Sequence, residues 1–263
     1  FCDWSSDVCS SDLDYLATEG QTSDGKYFGF ELGYDKLTNK TPESFNAAQW
    51  NGNIAGMIWK SDGDDIRRKY DFGYDEINRL LKADFEQQNA DDHAWNNSQV
   101  NYTVLMGDGA TGASAYDANG NIKAMKQYGL KLGANPQTPI DQLTYNYTAN
   151  SNKLLNVIDA QNDAATKLGD FRTSLLHPTQ SKTTATVDYT YDVNGNLLKD
   201  LNKDIGKSAA NGIAYNHLNL PRVVTVYTTA GAVKGTITYV YDATGNKLSK
   251  DRKSTRLNSS HRT

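Results

Sequence analysis

Residues 187–199 read VDYTYDVNGNLLK: an aromatic and β-branched arm, an Asn-Gly pair, and an apolar return arm. Asn-Gly is the strongest short-range hairpin signal, because both residues tolerate the positive φ that a two-residue loop requires. Taking Asn194 and Gly195 as that loop, Asp192 faces Leu197 and Tyr191 faces Leu198, which sets the tyrosine ring on a leucine across the ladder. The aspartate after the tyrosine is placed to accept backbone N–H groups of the turn. Its expected role is structural.

The same pattern recurs along the chain. Tyr116, Asp117 and Gly120 stand in YDANGNI, Tyr191, Asp192 and Gly195 in YDVNGNL, and Tyr241, Asp242 and Gly245 in YDATGNKL. Weaker copies begin at Tyr74-Asp75 (YDEINRLL), Tyr147 (YTANSNKL) and Tyr215 (YNHLNLP); Tyr34-Asp35 opens another, and Asn51-Gly52-Asn53-Ile54 repeats the turn without its tyrosine. The offset of seven in the first copy predicts Tyr74 opposite Leu81, Tyr147 opposite Leu154 and Tyr241 opposite Leu248. The copies are unevenly spaced, which disfavours a solenoid of fixed rung length and suits hairpins of variable arm and loop. Helical periodicity is poor throughout. The stretches 41–49, 84–94 and 163–168 are the places where short helical insertions are expected.

Composition agrees with a sheet that is not a dense sphere. Hydrophobic residues make up 38% of the 263, below the usual ~45–50%, while 16 tyrosines and 4 tryptophans supply large faces with polar tips. A net charge of −4 offers phosphates no extended basic face, so neither nucleic acid nor an anionic membrane is an expected partner. No apolar run is long enough for a transmembrane helix. The two cysteines, Cys2 and Cys9, build no metal site and say nothing of redox compartment. They lie in Phe1 to Leu13, which, like Asp251 to Thr263, resembles translated sequencing-adapter read-through. Both ends are expected to be foreign or disordered tails (residues 1–13 and 251–263) that contact little else, flanking one repeat segment over residues 14–250 with no Pro/Ser linker to divide it.

The YD motifs resemble the RHS, or YD-repeat, family, in which hairpins of the form Y-D-x-x-G-x-L string into a sheet spiralling around a hollow interior. The resemblance covers about residues 27–250, and Phe30–Asp35 (FELGYD), Trp50–Lys60 (WNGNIAGMIWK), Tyr74–Ala83 (YDEINRLLKA) and the stretch from Thr186 to Leu220 are similar to its bacterial members. It implies an all-β fold of successive antiparallel hairpins forming a curved, open, spiralling sheet that is part of a shell. It further implies a secreted or cell-surface protein whose shell encloses or presents a cargo or toxin domain, its partners being the remainder of the shell and that cargo. The family's downstream core region, with its autoproteolytic aspartates, has no counterpart here, so no cleavage activity carries over. An enzyme is not expected.

Other chemistry is thin. Gly107–Gly112 reads GDGATG after a strand-like run, a literal dinucleotide fingerprint, but a dinucleotide turn must open a helix, and the hairpin at Tyr116 leaves it no room. No cofactor is expected. Asp62, Asp64 and Asp65, with Asp91, Asp92 and His93, lack the spacing of a calcium loop, and His93, His177 and His217 stand apart from one another, so no metal or nucleophile–base pair is expected. The rival expectation is a glycan- or protein-binding surface using exposed Tyr, Trp and Asn. Tryptophan position separates the two: a sugar site needs Trp50, Trp59 or Trp95 exposed on one face among polar groups, and a shell buries them.

Overall fold

A computed structural model describes residues 28–34, 45–61, 63–64, 66–90, 92–130, 133, 135–161, 171–172, 174 and 182–254. The described chain is all-β, and the registered strand pairs are antiparallel throughout. By contacts it divides into two compact units. One unit holds the described residues through Leu143 with Ala160 and Gln161; the other holds Thr144–Asp159 and the described residues from Phe171 onward.

The first unit contains β1 (Phe28–Gly33), β2 (Gly56–Ser61), β3 (Arg67–Tyr74), β4 (Leu80–Gln88), β5 (Trp95–Asn96), β6 (Val104–Met106) and β7 (Ala124–Tyr128). Neighbours run β1-β2-β3-β4-β6-β7, with β5 added to the far end of β4. The residues from Asp84 to Gln88 are strand, not a helical insertion: Phe85 and Gln87 alternate inward along β4 and hold it to period two. The one α-helical turn described, α1 (Gly112–Ala115), opens at the last residue of GDGATG and ends at the residue before Tyr116, so the space before the hairpin holds a single turn.

Register assigns two faces. Met57, Tyr70 and Phe85 are directly opposite one another on β2, β3 and β4, and Tyr70 and Phe85 make an aromatic row with Trp59 and Tyr102. Ring centroids are 5.3 Å apart for Trp59 and Tyr70, 5.5 Å for Tyr70 and Phe85, and 5.1 Å for Phe85 and Tyr102. Phe85 is fully enclosed beneath them. The opposite face carries Phe45, Ala55 and Ile58, with Trp95 against them. Phe45 lies in a slot made by Gly33 and Gly56, which are cross-strand partners. A Cβ on Gly56 would meet the Phe45 ring at 2.0 Å and the Tyr70 carbonyl oxygen at 2.6 Å. Beyond that slot, Lys69 is buried between Asp71 (3.0 Å) and Glu86 (2.9 Å), so its charge is matched on both sides.

Strand β8 (Pro139–Tyr147) carries the chain out of the first unit, the division falling within it, and β9 (Leu154–Asp159) returns from its turn. The second unit then adds β10 (Tyr189–Tyr191) with β11 (Leu197–Asp200), and a four-stranded meander β12 (Ile213–Tyr215), β13 (Pro221–Tyr227), β14 (Val233–Tyr241) and β15 (Lys247–Ser254). The boundary expected at Asp251 is corrected here. Strand β15 continues through Asp251, Arg252, Lys253 and Ser254, which pair with Thr238, Ile237, Thr236 and Gly235. The ladder is backbone-driven, so β14 holds these four residues although their side chains lack apolar alternation. The expected tail over residues 1–13, and residues 255–263, lie outside the described residues, as do Asp35, Asp62, Asp65, Asp91, His177 and the stretch 163–168.

Candidate functional site

The recurring unit is the turn, and its register differs from the sequence expectation by one residue. Tyr191 pairs with Leu197, Tyr74 with Leu80, Tyr241 with Lys247, and Tyr215 with Pro221, each beside a bulge. Asn194 is not at positive φ; Gly195 alone is, at 86°. The loop is therefore not the two-residue Asn-Gly form. Asp192 N–H donates to Asn196 O and Gly195 N–H to Asp192 O, which gives a longer turn ending in a bulge. Side-chain chemistry selects this form. Asp192 Oδ1 accepts from the N–H groups of Asn194 (2.9 Å) and Asn196 (2.8 Å), and Oδ2 from Asn196 Nδ2 (2.9 Å).

The pattern is the same at Asp75, Asp117 and Asp242. Asp117 Oδ1 takes the N–H groups of Asn119 and Asn121, and Asp242 Oδ1 those of Thr244 and Asn246. Asp75 takes Ile77 and Arg79 N–H and adds an ion pair to Arg79 Nε at 2.7 Å. At the Tyr215 copy Asn216 replaces the aspartate, and its Oδ1 accepts from Leu218 and Leu220 N–H, so the acceptor and not the charge sets the turn. These donors, led by the side chain of Asn121 at Asp117 and of Asn196 at Asp192, hold the carboxyls below their ordinary value. Asp242 is brought down to about 2, chiefly by Asn246 and Thr244. The copy at Tyr147 has Thr148 in place of the aspartate and is one residue longer, closing from Thr148 N–H to Lys153 O with Asn150 at positive φ.

Consecutive copies are joined by the tyrosines. Tyr74 Oη donates to Ile54 O (2.9 Å) and Tyr116 Oη to Leu80 O (2.6 Å) in the first unit. In the second, Tyr191 Oη donates to Leu154 O (3.1 Å), Tyr215 Oη to Leu197 O (2.8 Å), and Tyr241 Oη to Pro221 O (3.0 Å). The acceptor is each time the first residue of the preceding copy's return arm. Burial raises the phenol pKa of Tyr74, Tyr116, Tyr191 and Tyr215, which keeps these hydroxyls protonated as donors. Asn78 and Asn219, which occupy the positive-φ position of their turns, add a second link. Asn78 Oδ1 accepts from Asn53 Nδ2 (3.1 Å) in the turn before it, and Asn219 Oδ1 from Asn194 (3.1 Å) and Asn196 (3.0 Å) Nδ2. Arg79 lies 4.4 Å from the centroid of the Tyr116 ring. Tyr34 is 40% exposed, and its carbonyl accepts from Gln49 N–H. Neither the tyrosine links nor the asparagine bridges have a local sequence signal; both became visible only with the register.

The remaining sequence features resolve locally. In the GDGATG stretch Asp108 itself takes the donors a phosphate would need: Ala110 and Thr111 N–H at 2.8 Å, and Ser114 Oγ at 2.7 Å. Its carboxyl falls well below the ordinary range, through Ser114 first and the two backbone donors next. Asp64 pairs with Arg68, and among the described residues no group of three His, Cys, Asp or Glu side chains could hold a metal. Trp50 is 81% exposed, whereas Trp59 and Trp95 are packed. A cleft of about 490 Å³ in the second unit is lined by Asp192, Asn194, Asn211, Tyr215 and Asn219 among others. No protein-family model matches this chain, and no curated protein matches it.

Proposed function

We propose that this chain is a segment of a YD-repeat shell: a wall of serially linked hairpins that encloses or presents the cargo or toxin domain of a larger secreted or cell-surface bacterial protein. The observation that carries it is the link from the tyrosine hydroxyl to the previous copy's return arm, made by Tyr74, Tyr116, Tyr191, Tyr215 and Tyr241. Such a link ties copy to copy in sequence order and needs no enclosed core, which is what a wall around a hollow space requires. At Asp117, Asp192 and Asp242 the carboxylate is bonded within its own turn, and five of the repeat tyrosines spend their hydroxyl on the link. The glycan reading stands second. The Asn-lined cleft favours it, but Trp50, Trp59 and Trp95 do not form one exposed polar-edged face.

A segment of wall has open edges. Among the described residues β1 and β15 each pair with one strand only. Strand β15 carries Lys247, Lys250, Arg252 and Lys253, the charged kind of edge that resists pairing, whereas β1 presents Phe28 and Phe30 about half exposed. Light scattering after size exclusion is therefore expected to show concentration-dependent association, weakened when Phe30 is replaced by lysine. A monodisperse monomer with one sharp calorimetric transition would turn the account to a closed β-domain.

A further inference from the structure

The second unit buries a lysine, an asparagine and an aspartate against one another, in a cluster that neither the turns nor the tyrosine links use. Lys182 precedes β10, Asp188 immediately abuts it, and Asn202 lies in the 3-10 turn Leu201–Lys203 that follows β11. The Lys182 side chain is 1% exposed and that of Asp188 is 0%; Asn202 as a residue is 6% exposed. Lys182 Nζ is 2.6 Å from Asn202 Oδ1 and 2.7 Å from Asp188 Oδ2. The same aspartate oxygen accepts from Asn202 Nδ2 at 3.0 Å. One carboxylate oxygen thus touches both a primary amine and the amide nitrogen of the carboxamide that the amine faces.

We propose that Lys182 and Asn202 react with each other to form an intramolecular amide cross-link, with Asp188 as the proton carrier. The Asn202 carbonyl carbon is one C=O bond, about 1.23 Å, from the oxygen that Nζ already contacts, so the amine stands close to the near-attack separation of about 3–3.5 Å. Asp188 first takes a proton from the Lys182 ammonium, which frees the nitrogen lone pair. Nζ attacks Cγ of Asn202, the C=O π pair moving to Oδ1. Asp188 then gives its proton to Nδ2 and takes one from the attacking nitrogen. As the carbonyl re-forms, the Cγ–Nδ2 bond breaks and ammonia departs. The last proton leaves Asp188 with it as ammonium, and the carboxylate is restored. No oxidant, metal or external reactant enters.

The surroundings favour reaction over a static ion pair. All three groups are buried, and the centroid of the Phe171 ring lies 5.9 Å from Nζ, so the carboxylate acts where its interactions are weakly screened. Val157 O accepts from Nζ at 3.1 Å, and Tyr189 Oη accepts from Asn202 Nδ2 at 3.0 Å. Amine and amide are thereby held on separate anchors, pointing at each other. Asn202 is oriented by its own N–H, which donates to Asp200 Oδ1 at 3.1 Å. The product would tie the segment entering β10 to the turn leaving β11, a covalent staple in a wall with little enclosed core. The inference goes beyond the shell reading and does not depend on it.

Intact-mass spectrometry of the folded full chain tests it. The expected mass is that of the sequence less one ammonia, with a branched peptide joining the segments of Lys182 and Asn202 after digestion. Lys182→Arg, Asn202→Ala and Asp188→Ala are each expected at their full sequence mass. Succinimide formation at an Asn-Gly pair also expels ammonia, so a loss that persists in Asn202→Ala overturns the proposal. A loss of one water, which would mark a Lys182–Asp188 amide, overturns it too. So does a wild-type chain that has a β-type circular dichroism spectrum and stays at the sequence mass through days of incubation.

Discussion

Gly195→Val isolates the backbone term that the YD turn depends on. Gly195 sits at φ 86°, and a Cβ added there meets nothing nearer than Lys153 Cε at 3.9 Å. The added Cβ therefore collides with nothing, and the expected cost is that of the positive φ a β-branched residue must adopt, about 1–3 kcal/mol. Gly195→Asn provides the internal scale. Asn78 and Asn219 occupy the equivalent turn position at 67° and 57°, so asparagine is expected to cost less than half as much as valine. Urea unfolding followed by circular dichroism reads both variants, and at constant m-value a change in midpoint is a change in stability. Equal losses for valine and asparagine would refute the reasoning, because steric and not conformational cost would then govern the site. No loss for valine would mean that the turn is not held in this form at all.

Other perturbations separate packing from electrostatics. Phe85→Ala empties a fully enclosed ring site and is expected to destabilise by about 3–5 kcal/mol, against under ~0.5 kcal/mol for Trp50→Ala at an 81% exposed position; thermal melts compare them. Gly56→Ala is expected to be among the most disruptive single-methyl additions, since the new Cβ collides with Phe45 and with the Tyr70 carbonyl; loss of near-ultraviolet aromatic signal reports it. The pH dependence has a sign at each end. Burial, and then the Asp200 charge, push Tyr189 up to about 12 from 10.0. The folded chain keeps that proton when the unfolded chain has lost it, so the contribution is complete below pH 10 and is lost as pH rises toward 12. The turn aspartates act oppositely. Asp242 falls from 3.8 to about 2, so its contribution is present above pH 3.8 and lost as pH falls toward 2. A pH titration of the urea midpoint that is flat at both ends would contradict both assignments.

What could be read from sequence was what is local. The run VDYTYDVNGNLLK places a strand, a turn and a strand where β10 and β11 stand, because arm alternation and a Gly at the turn act within a dozen residues. The pairing of Tyr191 with Leu198 failed because Asn-Gly was weighted above the aspartate three residues before the glycine. Asp192 reaches two N–H groups and enlarges the loop by drawing both into it, and Tyr191 falls opposite Leu197. The boundary at Asp251 failed for a related reason. Side-chain composition suggested a tail, but pairing with β14 is a main-chain affair. Links between copies span 18 to 37 residues, and the Lys182–Asn202 approach spans 20. Both require the register before any residue pattern can show them. Ser114 in the helical turn Gly112–Ala115 donates back to Asp108, which also takes the Ala110 and Thr111 N–H groups before the turn.

Tyr241 and Tyr239 offer the most direct test of serial linkage. They lie two residues apart on one strand, on the same face, with ring centroids 6.4 Å apart. Only Tyr241 donates to the preceding copy's return arm, at Pro221 O, 3.0 Å away. Replacing either by phenylalanine keeps the ring and removes the hydroxyl. The account expects Tyr241→Phe to cost about 0.5–1.5 kcal/mol in urea unfolding and to speed amide hydrogen exchange in β13, where the acceptor lies, while Tyr239→Phe stays within about 0.5 kcal/mol of the parent with β13 unchanged. Indistinguishable variants, or faster exchange confined to the strand that carries the substitution, would contradict the claim that tyrosine hydroxyls tie one hairpin to the next.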